Sequence, residues 1–169
     1  MRKIAVFLLV ACMLFVAAGC DRSEASEEIF VLPGYGLEIT ADSNFYENTG
    51  GSFDLQITND KCYVSVMAYH YADLPLDTTT YDAYEIQNED LFGKRDEVTV
   101  IEETKTQGTI TYGVHSAKKD GVENYYATYL LDFPESEIFA WVLITSTPTY
   151  YMNNTEYLHN IVCSLVPVV

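Results

Sequence analysis

Apolar and polar residues alternate with a period of two along much of the chain, and this alternation predicts a sheet. The segment 61–71 shows it clearly, because Val64, Val66 and Ala68 alternate with larger or more polar residues. An Asn-Asp turn signal at residues 59–60 joins this segment to the preceding one, which predicts a hairpin. The predicted strands cover residues 35–40, 52–58, 61–71, 98–104, 109–117, 122–133 and 138–147.

The two faces of the 61–71 strand differ in character. One face is small and aliphatic, and the other carries Tyr63, Met67 and Tyr69. A helix can cover the aromatic face while another layer meets the aliphatic one, so we expect a sheet buried on both sides. Equally clean alternation occurs in two later segments, at Tyr125, Ala127, Tyr129, Leu131 and Phe133, and at Phe139, Trp141 and Leu143.

Two segments have the period of a helix instead. In the first, one helical face carries Tyr81, Tyr84, Asn88, Leu91 and Phe92. Thr78 or Thr79 is the predicted N-cap of this helix, and Gly93 its end. The second helix is predicted over about residues 154–165, where Asn153 and Glu156 have capping-box spacing.

The predicted order is three strands, a helix, four strands and a terminal helix. This order is typical of an α+β domain, with a mainly antiparallel, twisted sheet of about six or seven strands and helices packed on it. The predicted domain covers residues 29–169. A chain of this length can bury one sizeable core.

The first residues of the chain have the pattern of a secretory signal. Arg2 and Lys3 precede an apolar run over residues 4–16. The run ends in Ala17-Ala18-Gly19-Cys20, which resembles the lipobox of bacterial lipoproteins. Leu is more common than Ala three residues before the Cys, so an ordinary secreted protein is the alternative.

The lipobox resemblance implies a signal peptide over residues 1–19 that is cleaved between Gly19 and Cys20. It also implies a diacylglycerol on the Cys20 thiol and an acyl chain such as palmitate on the new amino terminus. Two acyl chains make a stable membrane anchor. Residues 20–28 are then the lipid anchor and an acidic, flexible tether.

The charge of the chain excludes one class of partner. The full chain has a formal net charge of −16, from 9 basic and 25 acidic residues. Removal of the signal leaves 7 basic residues, and 7 minus 25 gives −18. A polyanion such as nucleic acid is repelled by this charge, and the sequence has no basic stripe to overcome the repulsion.

Catalytic and metal-binding patterns are not found. His70, His115 and His159 lie on three different predicted elements, without the spacing of a metal site. Glu102 and Glu103 are neighbours in a predicted strand, so their side chains point to opposite faces. We therefore predict no catalytic residue, no metal and no cofactor.

Two cysteines remain after the signal and the anchor, at Cys62 and Cys163. In an exported domain they could form a disulfide, which would close a loop of about 100 residues and stabilise the fold by roughly 4 to 5 kcal/mol. The alternative is two buried thiols that pack as small apolar residues.

The chain contains 14 tyrosines, several of them in adjacent pairs. Tyrosine favours strands in any case, but an exposed tyrosine also suits contact with a protein or a carbohydrate. Tyr150 and Tyr151, just before the last predicted helix, are the predicted exposed contact site.

The mature domain resembles the PsbP-like superfamily of α/β/α sandwiches, which includes lipoproteins of the LpqN and DcrB types. The resemblance rests on element order and apolar pattern: the opening Gly36-Leu37-Glu38-Ile39, the hairpin over 53–71, the helix over 81–92, the hairpin through Lys119-Asp120-Gly121 and the closing 161–165. It implies a non-enzymatic binding or assembly module, with no catalytic residues to transfer.

The sequence thus favours a lipoprotein anchored at the extracytoplasmic face of the cell membrane, whose domain binds an envelope or extracellular protein. The alternative is a binder of a small ligand or glycan in a tyrosine-lined cleft. The least favoured hypothesis is a hydrolase with dispersed carboxylates. A flat exposed aromatic patch would favour the first hypothesis, a tyrosine-lined cavity the second, and a pocket of convergent carboxylates the third.

Overall fold

The computed structural model describes residues 26–92, 101–105, 108–119 and 122–168. The predicted signal peptide, its cleavage site, Cys20 and most of the tether lie outside these residues. So do Gly93, the 98–100 part of one predicted strand, and the turn at Asp120-Gly121.

The main element is a seven-stranded sheet in which every described pair of neighbours is antiparallel. Its strand order is β3-β4-β5-β9-β8-β7-β6, so the long hairpins predicted from the alternation are present. The strands are β3 (Tyr46–Glu47), β4 (Leu55–Thr58), β5 (Cys62–His70), β6 (Ile101–Lys105), β7 (Gly108–Lys119), β8 (Val122–Phe133) and β9 (Ile138–Ser146).

A second, three-stranded sheet was not predicted as such. It contains β1 (Glu27–Leu32), β2 (Leu37–Asp42) and β10 (Val166–Pro167), in the order β1-β2-β10. The strand β1 begins at Glu27, whereas the sequence predicted a tether as far as residue 28. Glu27 and Glu28 are exposed and acidic like a tether, but their backbone pairs with β2.

Two helices pack on the sheets: α1 (Thr80–Phe92) and α2 (Pro148–Cys163). The predicted cap of α1 is confirmed at Thr79, whose hydroxyl accepts from the backbone N–H of Asp82 at 3.1 Å. The Asp82 carboxylate in turn accepts from the backbone N–H of Thr79 at 2.9 Å. On the predicted helical face Tyr84 is buried, whereas Tyr81 and Leu91 are exposed.

The predicted start of the second helix is wrong. Thr147, not Asn153, is the N-cap of α2, and its side chain accepts a hydrogen bond from the backbone N–H of Tyr150. Pro148 occupies the first helical position, where its missing N–H costs nothing. Asn154, with φ −131° and ψ 20°, interrupts the helix, so the predicted start coincides with this kink.

The central strands of the seven-stranded sheet are buried on both faces, as predicted. Its α2 face belongs to a large apolar core that includes Val64, Ala127 and Leu131. The opposite face belongs to a smaller core under α1, formed by Tyr84, Leu130, Phe139, Trp141 and Leu143. The α+β architecture with a mainly antiparallel sheet is therefore confirmed.

The domain has two ends. At the proximal end, where the described chain begins, the backbone N–H of Ser43 donates to the carbonyl oxygen of Ser26 at 2.7 Å. The turn between β4 and β5 and the start of α2 lie at this same end. At the distal end the ring of Tyr35 contacts His70, with centroids 5.3 Å apart, and the backbone N–H of Val168 donates to the carbonyl oxygen of Gly36.

Candidate functional site

A polar cleft opens at the proximal end of the domain. We call it the Tyr150 cleft, and its volume is about 560 Å³. Three segments that are distant in sequence build it: the end of β2 with the turn after it, the β4–β5 turn, and residues 150–157 of α2. It is lined by Asp42, Asn44, Asn59, Lys61, Tyr150, Asn154 and Tyr157.

Amide side chains hold Tyr150 in the cleft. The Nδ2 of Asn59 donates to the Tyr150 hydroxyl at 2.8 Å, and the Nδ2 of Asn154 donates to the Tyr150 carbonyl oxygen at 2.8 Å. The kink at Asn154 therefore places its amide back against the first turn of α2. Burial is the main reason why the pKa of Tyr150 is raised, so the phenol keeps its proton.

The second tyrosine of the cleft is bonded to its carboxylate. The Tyr157 hydroxyl donates to Oδ2 of Asp42 at 2.5 Å, and the backbone N–H of Asn44 donates to Oδ1 at 2.8 Å. Burial first, and then the hydrogen bond to Asp42, raises the pKa of Tyr157.

Asp42 and Lys61 bear opposite charges, so the described lining of the Tyr150 cleft is close to neutral. Such a lining suits an uncharged polar ligand, because amides and hydroxyls both donate and accept hydrogen bonds.

A row of tyrosines crosses the sheet at the proximal end, on the face that carries α1. Tyr46, Tyr63 and Tyr126 lie on alternate strands, with Thr58 and Thr145 between them in register. Alternate strands are about 9.5 Å apart. Tyr46 is 49% exposed and Tyr63 is 42% exposed, so this tyrosine row is an open aromatic surface.

The β4–β5 turn connects the tyrosine row with the Tyr150 cleft. Asp60 in this turn accepts a hydrogen bond from the Tyr46 hydroxyl, while its neighbour Asn59 donates to Tyr150. Asp60 itself has a positive φ of 65°, a conformation that Asp tolerates better than most residues. Both surfaces are thus positioned by one tight turn.

A second cleft, of about 440 Å³, lies at the distal end between β8 and the start of α1. The two oxygens of Asp132 accept from the hydroxyls of Tyr71 and Thr80. Each oxygen of Asp132 thus already accepts one hydrogen bond, and the bond from Thr80 holds the start of α1 against β8. The adjacent Leu76 is 96% exposed.

The predicted contact site at Tyr150 and Tyr151 needs a correction. Both residues lie on α2 rather than at a loop, and consecutive helical residues point in directions about 100° apart. Tyr151 is 6% exposed and its ring packs against Tyr125, so it is a core residue. Tyr150 is half-buried and lines the cleft.

Cys62 and Cys163, the two residues of the possible disulfide, are both free thiols in this structure. Cys62 is buried, and its thiol lies 3.5 Å from Oδ1 of Asn59. Cys163 is half-buried, with its sulfur 3.2 Å from Nε2 of His159. The geometry therefore matches the alternative, two thiols that pack as small side chains.

The two thiols are expected to differ strongly in reactivity. Burial raises the pKa of Cys62 from 9.0 to about 12, and only the thiolate reacts with alkylating agents. Brief iodoacetamide treatment of the native protein at pH 8 should alkylate Cys163 well before Cys62. Peptide mass spectrometry of both sites, with a urea-unfolded sample as control, measures the ratio. Equal rates, or a mass 2 Da lower than expected because of a disulfide, would contradict this structure.

The described histidines lie on separate elements, and His159 contacts the Cys163 thiol, a pair that is too small for a metal site. His70 ends β5 and His159 lies on α2, and within the described ranges no group of three His, Cys, Asp or Glu residues could hold a metal ion. Similarly, no helix in residues 26–92 or 122–168 is long and apolar enough to cross a membrane.

Sequence reasoning missed most residues of the Tyr150 cleft. The sequence predicted Asn59 in a turn and Asn154 at the start of a helix. Neither position indicates a binding site by itself. Asp42 and Tyr157 are separated by 115 positions, so their contact has no local signature. The exposed Tyr63 had a signal, because it occupies an outward position in an alternating strand, whereas Tyr46 lies in a two-residue strand without alternation.

No protein-family model matches the chain, and no curated protein matches it. Several solved structures do share its fold. The cyanobacterial PsbP (CyanoP) of Synechocystis is 13% identical, with a TM-score of 0.60, and the match covers 88% of this chain and 96% of that one. The Ran-binding protein Mog1p of Saccharomyces cerevisiae is 13% identical, with a TM-score of 0.56 and coverage of 86% and 97%.

A third structure with this fold is LpqN of Mycobacterium tuberculosis, described as involved in cell envelope biogenesis. It is 10% identical, with a TM-score of 0.59, and the match covers 85% of this chain and 92% of LpqN. At these identities the likeness is one of fold alone. The predicted resemblance to the PsbP-like α/β/α sandwiches is confirmed at that level.

Proposed function

We propose that the protein is a lipid-anchored lipoprotein at the extracytoplasmic face of the cell membrane, and that its domain is a non-enzymatic module that binds an envelope protein. The observation that carries the proposal is the tyrosine row, an open aromatic surface with Tyr46 on the edge strand and Tyr63 in the middle. Tyrosine is enriched where proteins contact one another.

The anchor and the tyrosine row lie near the same end of the domain. Ser26 is six residues after Cys20, and six residues span at most about 20 Å. Ser26 pairs with the turn that follows β2, and that turn lines the Tyr150 cleft. A lipid on Cys20 therefore keeps the proximal end close to the membrane, where a membrane-associated partner can reach it.

The proximal end is acidic as well as aromatic. Asp42, Glu47 and Asp60 lie around the tyrosine row and the cleft, with Lys61 as the basic residue among them. Carboxylates pair with Arg and Lys, and tyrosine faces attract the same cations. The partner surface is therefore expected to be basic and rich in Arg.

The anchor is tested by the intact mass of the protein isolated from membranes of its own cells. We expect a chain that begins at Cys20 and carries two or three acyl chains. The Cys20→Ser variant should remain unprocessed or appear in the soluble fraction. A mature wild-type chain that begins at Cys20 without added lipid would refute the anchor.

The binding surface is tested by a photo-crosslinking amino acid placed at Tyr63 in one variant and at Leu76 in another. Both side chains are exposed, and they lie at opposite ends of the domain. We expect one dominant protein adduct from position 63 and none from position 76. The adduct should disappear when Tyr46→Ala is added. Equal adducts from both positions, or an adduct that survives Tyr46→Ala, would refute this surface.

The Tyr150 cleft favours a second function, the binding of a small neutral ligand such as a sugar. Its amides and phenols can pair with hydroxyl groups, and Asp42 and Lys61 balance one another in charge. Amide chemical-shift changes at residues 59 and 154 on addition of a mixture of monosaccharides would support this function. Unchanged shifts at millimolar sugar would exclude it.

A hydrolase has less support. Neither described cleft is lined by a Ser, Cys or His, and both oxygens of Asp132 already accept hydrogen bonds. The Asp132→Asn variant is expected to destabilise the start of α1. It is not expected to change the rate of any reaction.

A further inference from the structure

The strand β1 is the edge strand of the three-stranded sheet, and within the described residues its outer side pairs with no other strand. Its register with β2 runs without a bulge from the Glu27–Asp42 pair to the Leu32–Leu37 pair. Edge strands are commonly protected against a further strand by Lys, Pro or a bulge. The strand β1 contains neither Lys nor Pro, so its edge is open to pairing.

The contacts of Thr40 on β2 show which backbone groups of β1 face this open edge. The Thr40 N–H donates to the Ser164 hydroxyl at 2.8 Å, and the Thr40 carbonyl oxygen accepts from that hydroxyl at 3.1 Å. Both groups therefore point away from Ile29, which lies opposite Thr40 in the register. Antiparallel strands alternate between pairs that exchange both backbone hydrogen bonds and pairs that exchange none. The N–H and C=O groups of Ile29 thus point away from β2, to the open edge.

The start of the strand shows the same alternation. The backbone N–H of Ser43 donates to the carbonyl oxygen of Ser26 at 2.7 Å, and these two residues continue the register of β1 and β2. Even-numbered residues of β1 therefore bond to β2. The odd-numbered residues present their N–H and C=O groups to the open edge, and they are Glu27, Ile29 and Val31.

Two of these edge residues also have exposed apolar side chains. Ile29 is 58% exposed and Val31 is 51% exposed, whereas Phe30 and Leu32 between and beyond them are buried in the core. Cross-strand contacts between β-branched side chains stabilise a sheet. The open edge therefore combines free backbone groups with two apolar side chains that a further strand can cover.

Acidic residues surround this apolar pair. Glu27 and Glu28 begin the strand and are exposed, and Glu38 of β2 lies opposite Val31. Opposite charges stabilise cross-strand pairs, so a complementary strand is basic where it meets Glu27 and Glu28. A second copy of this chain is a poor occupant, because each copy has a net charge of −16.

We propose that β1 binds an extended, basic segment of a partner protein by strand addition. The segment runs antiparallel to β1, like the other strands of this sheet, and exchanges backbone hydrogen bonds with Ile29 and Val31. From its amino end it carries an apolar, a polar and an apolar residue opposite Val31, Phe30 and Ile29, and then two basic residues opposite Glu28 and Glu27.

This surface is independent of the tyrosine row, which lies on the seven-stranded sheet. Failure of the crosslink from Tyr63 would leave strand addition at β1 unaffected, and the reverse also holds. The test uses the mature chain, residues 20–169, with Cys20→Ser, in buffer without detergent. The probe is the synthetic peptide TVTVKK, acetylated at one end and amidated at the other.

Two N-methylated forms of this peptide are the matched controls. Methylation of both Val nitrogens removes the N–H groups that face β1, whereas methylation of both Thr nitrogens removes N–H groups that face solvent. With affinity measured by calorimetry, we expect the Val-methylated form to bind at least about tenfold more weakly than the Thr-methylated form. The peptide TVTVEE should also bind more weakly than TVTVKK, and added salt should reduce this difference.

Amide hydrogen exchange measured by NMR locates the bound peptide. In the free protein the amides of Ile29 and Val31 should exchange faster than that of Phe30, which bonds to β2. The peptide should slow exchange at Ile29 and Val31. Val31→Pro removes an N–H that faces the open edge and should weaken binding about tenfold. Val31→Thr keeps the N–H and the branched side chain, and should bind within about twofold of wild type.

Circular dichroism checks that both variants are folded, and the methylated peptides test the proposal on the unaltered protein. Equal affinity of the two methylated peptides, unchanged exchange at Ile29 and Val31, or wild-type affinity in a folded Val31→Pro variant would overturn it. A dimer in sedimentation experiments that Val31→Pro dissociates would assign the edge to a second copy. Slower exchange of the same amides with phosphatidylcholine vesicles would assign it to a lipid surface. Either result would overturn the proposed partner.

Discussion

The protein is expected to keep a constant stability up to about pH 9 and to unfold cooperatively between about pH 10 and pH 12. The cause is a set of buried phenols in the two cores. Burial is the main reason why the pKa values of Tyr84, Tyr129 and Tyr151 are raised above the ordinary 10.0. Burial also raises the pKa of Cys62 to about 12.

The direction of the effect follows from which state holds the protons. Above pH 10 the unfolded chain loses its tyrosine protons while the folded protein keeps them, so unfolding releases protons and high pH favours it. Each such group removes up to about 1.4 kcal/mol of stability for every pH unit until the pH reaches its folded-state pKa. The three tyrosines act in the same direction, so their losses add against a total stability of about 5–15 kcal/mol.

Urea unfolding followed by circular dichroism from pH 7 to pH 11 measures this loss. Tyr129→Phe should lower stability at pH 7 but make the decline above pH 10 shallower. Leu131→Ala, in the same strand and core, should lower stability by a similar amount at every pH. A decline that is equally steep in wild type and Tyr129→Phe would show that Tyr129 does not contribute to it.

Much of the fold was predictable because its central strands are long and alternate without interruption. In β5, β8 and β9 a shift by one residue would exchange the two faces, so the pattern itself determines which side chains lie under α1. The two-sided burial and the order of the elements followed from these strands.

The missed elements depend on backbone pairing rather than on side-chain pattern. The strand β1 begins with two acidic residues, and its exposed positions carry the apolar Ile29 and Val31. Its sequence therefore shows no alternation between polar and apolar residues. The strand β10 has two residues, which is too short for a period. Both exist because β2 between them offers hydrogen bonds on both edges.

The candidate sites were less predictable than the fold. The Tyr150 cleft needs three segments to converge, and that convergence depends on how α2 crosses the sheets. Tyr151 was predicted at the surface because the last helix was predicted to begin at about residue 154, whereas it begins at Pro148. The helical geometry turns Tyr151 into the core and leaves Tyr150 at the cleft.

Tyr84→Ala is expected to lower the free energy of unfolding by about 3–5 kcal/mol, a loss typical of large buried aromatic residues. Tyr84 is 1% exposed and packs in the core under α1 with Trp141. Among the described side chains of α1 it is the one that is fully buried, so the helix depends on it for attachment.

Tyr84→Phe separates the two contributions of this side chain. It keeps the ring and removes the hydroxyl that lies 3.1 Å from Oγ1 of Thr128, so we expect a loss of about 1 kcal/mol. Ile86→Ala is the matched control on the same helix. Ile86 is 55% exposed, and its replacement should change stability by no more than about 0.5 kcal/mol.

Urea unfolding, followed both by circular dichroism and by the emission of Trp141, measures all three variants. If burial of the ring holds α1 on the sheet, Tyr84→Ala should also shift the native emission of Trp141 to longer wavelength, because the indole loses its cover. Tyr84→Phe should leave that emission unchanged. A Tyr84→Ala variant as stable as Ile86→Ala would mean that α1 adds nothing to the core, and the polar contacts of Thr80 would then be its main attachment.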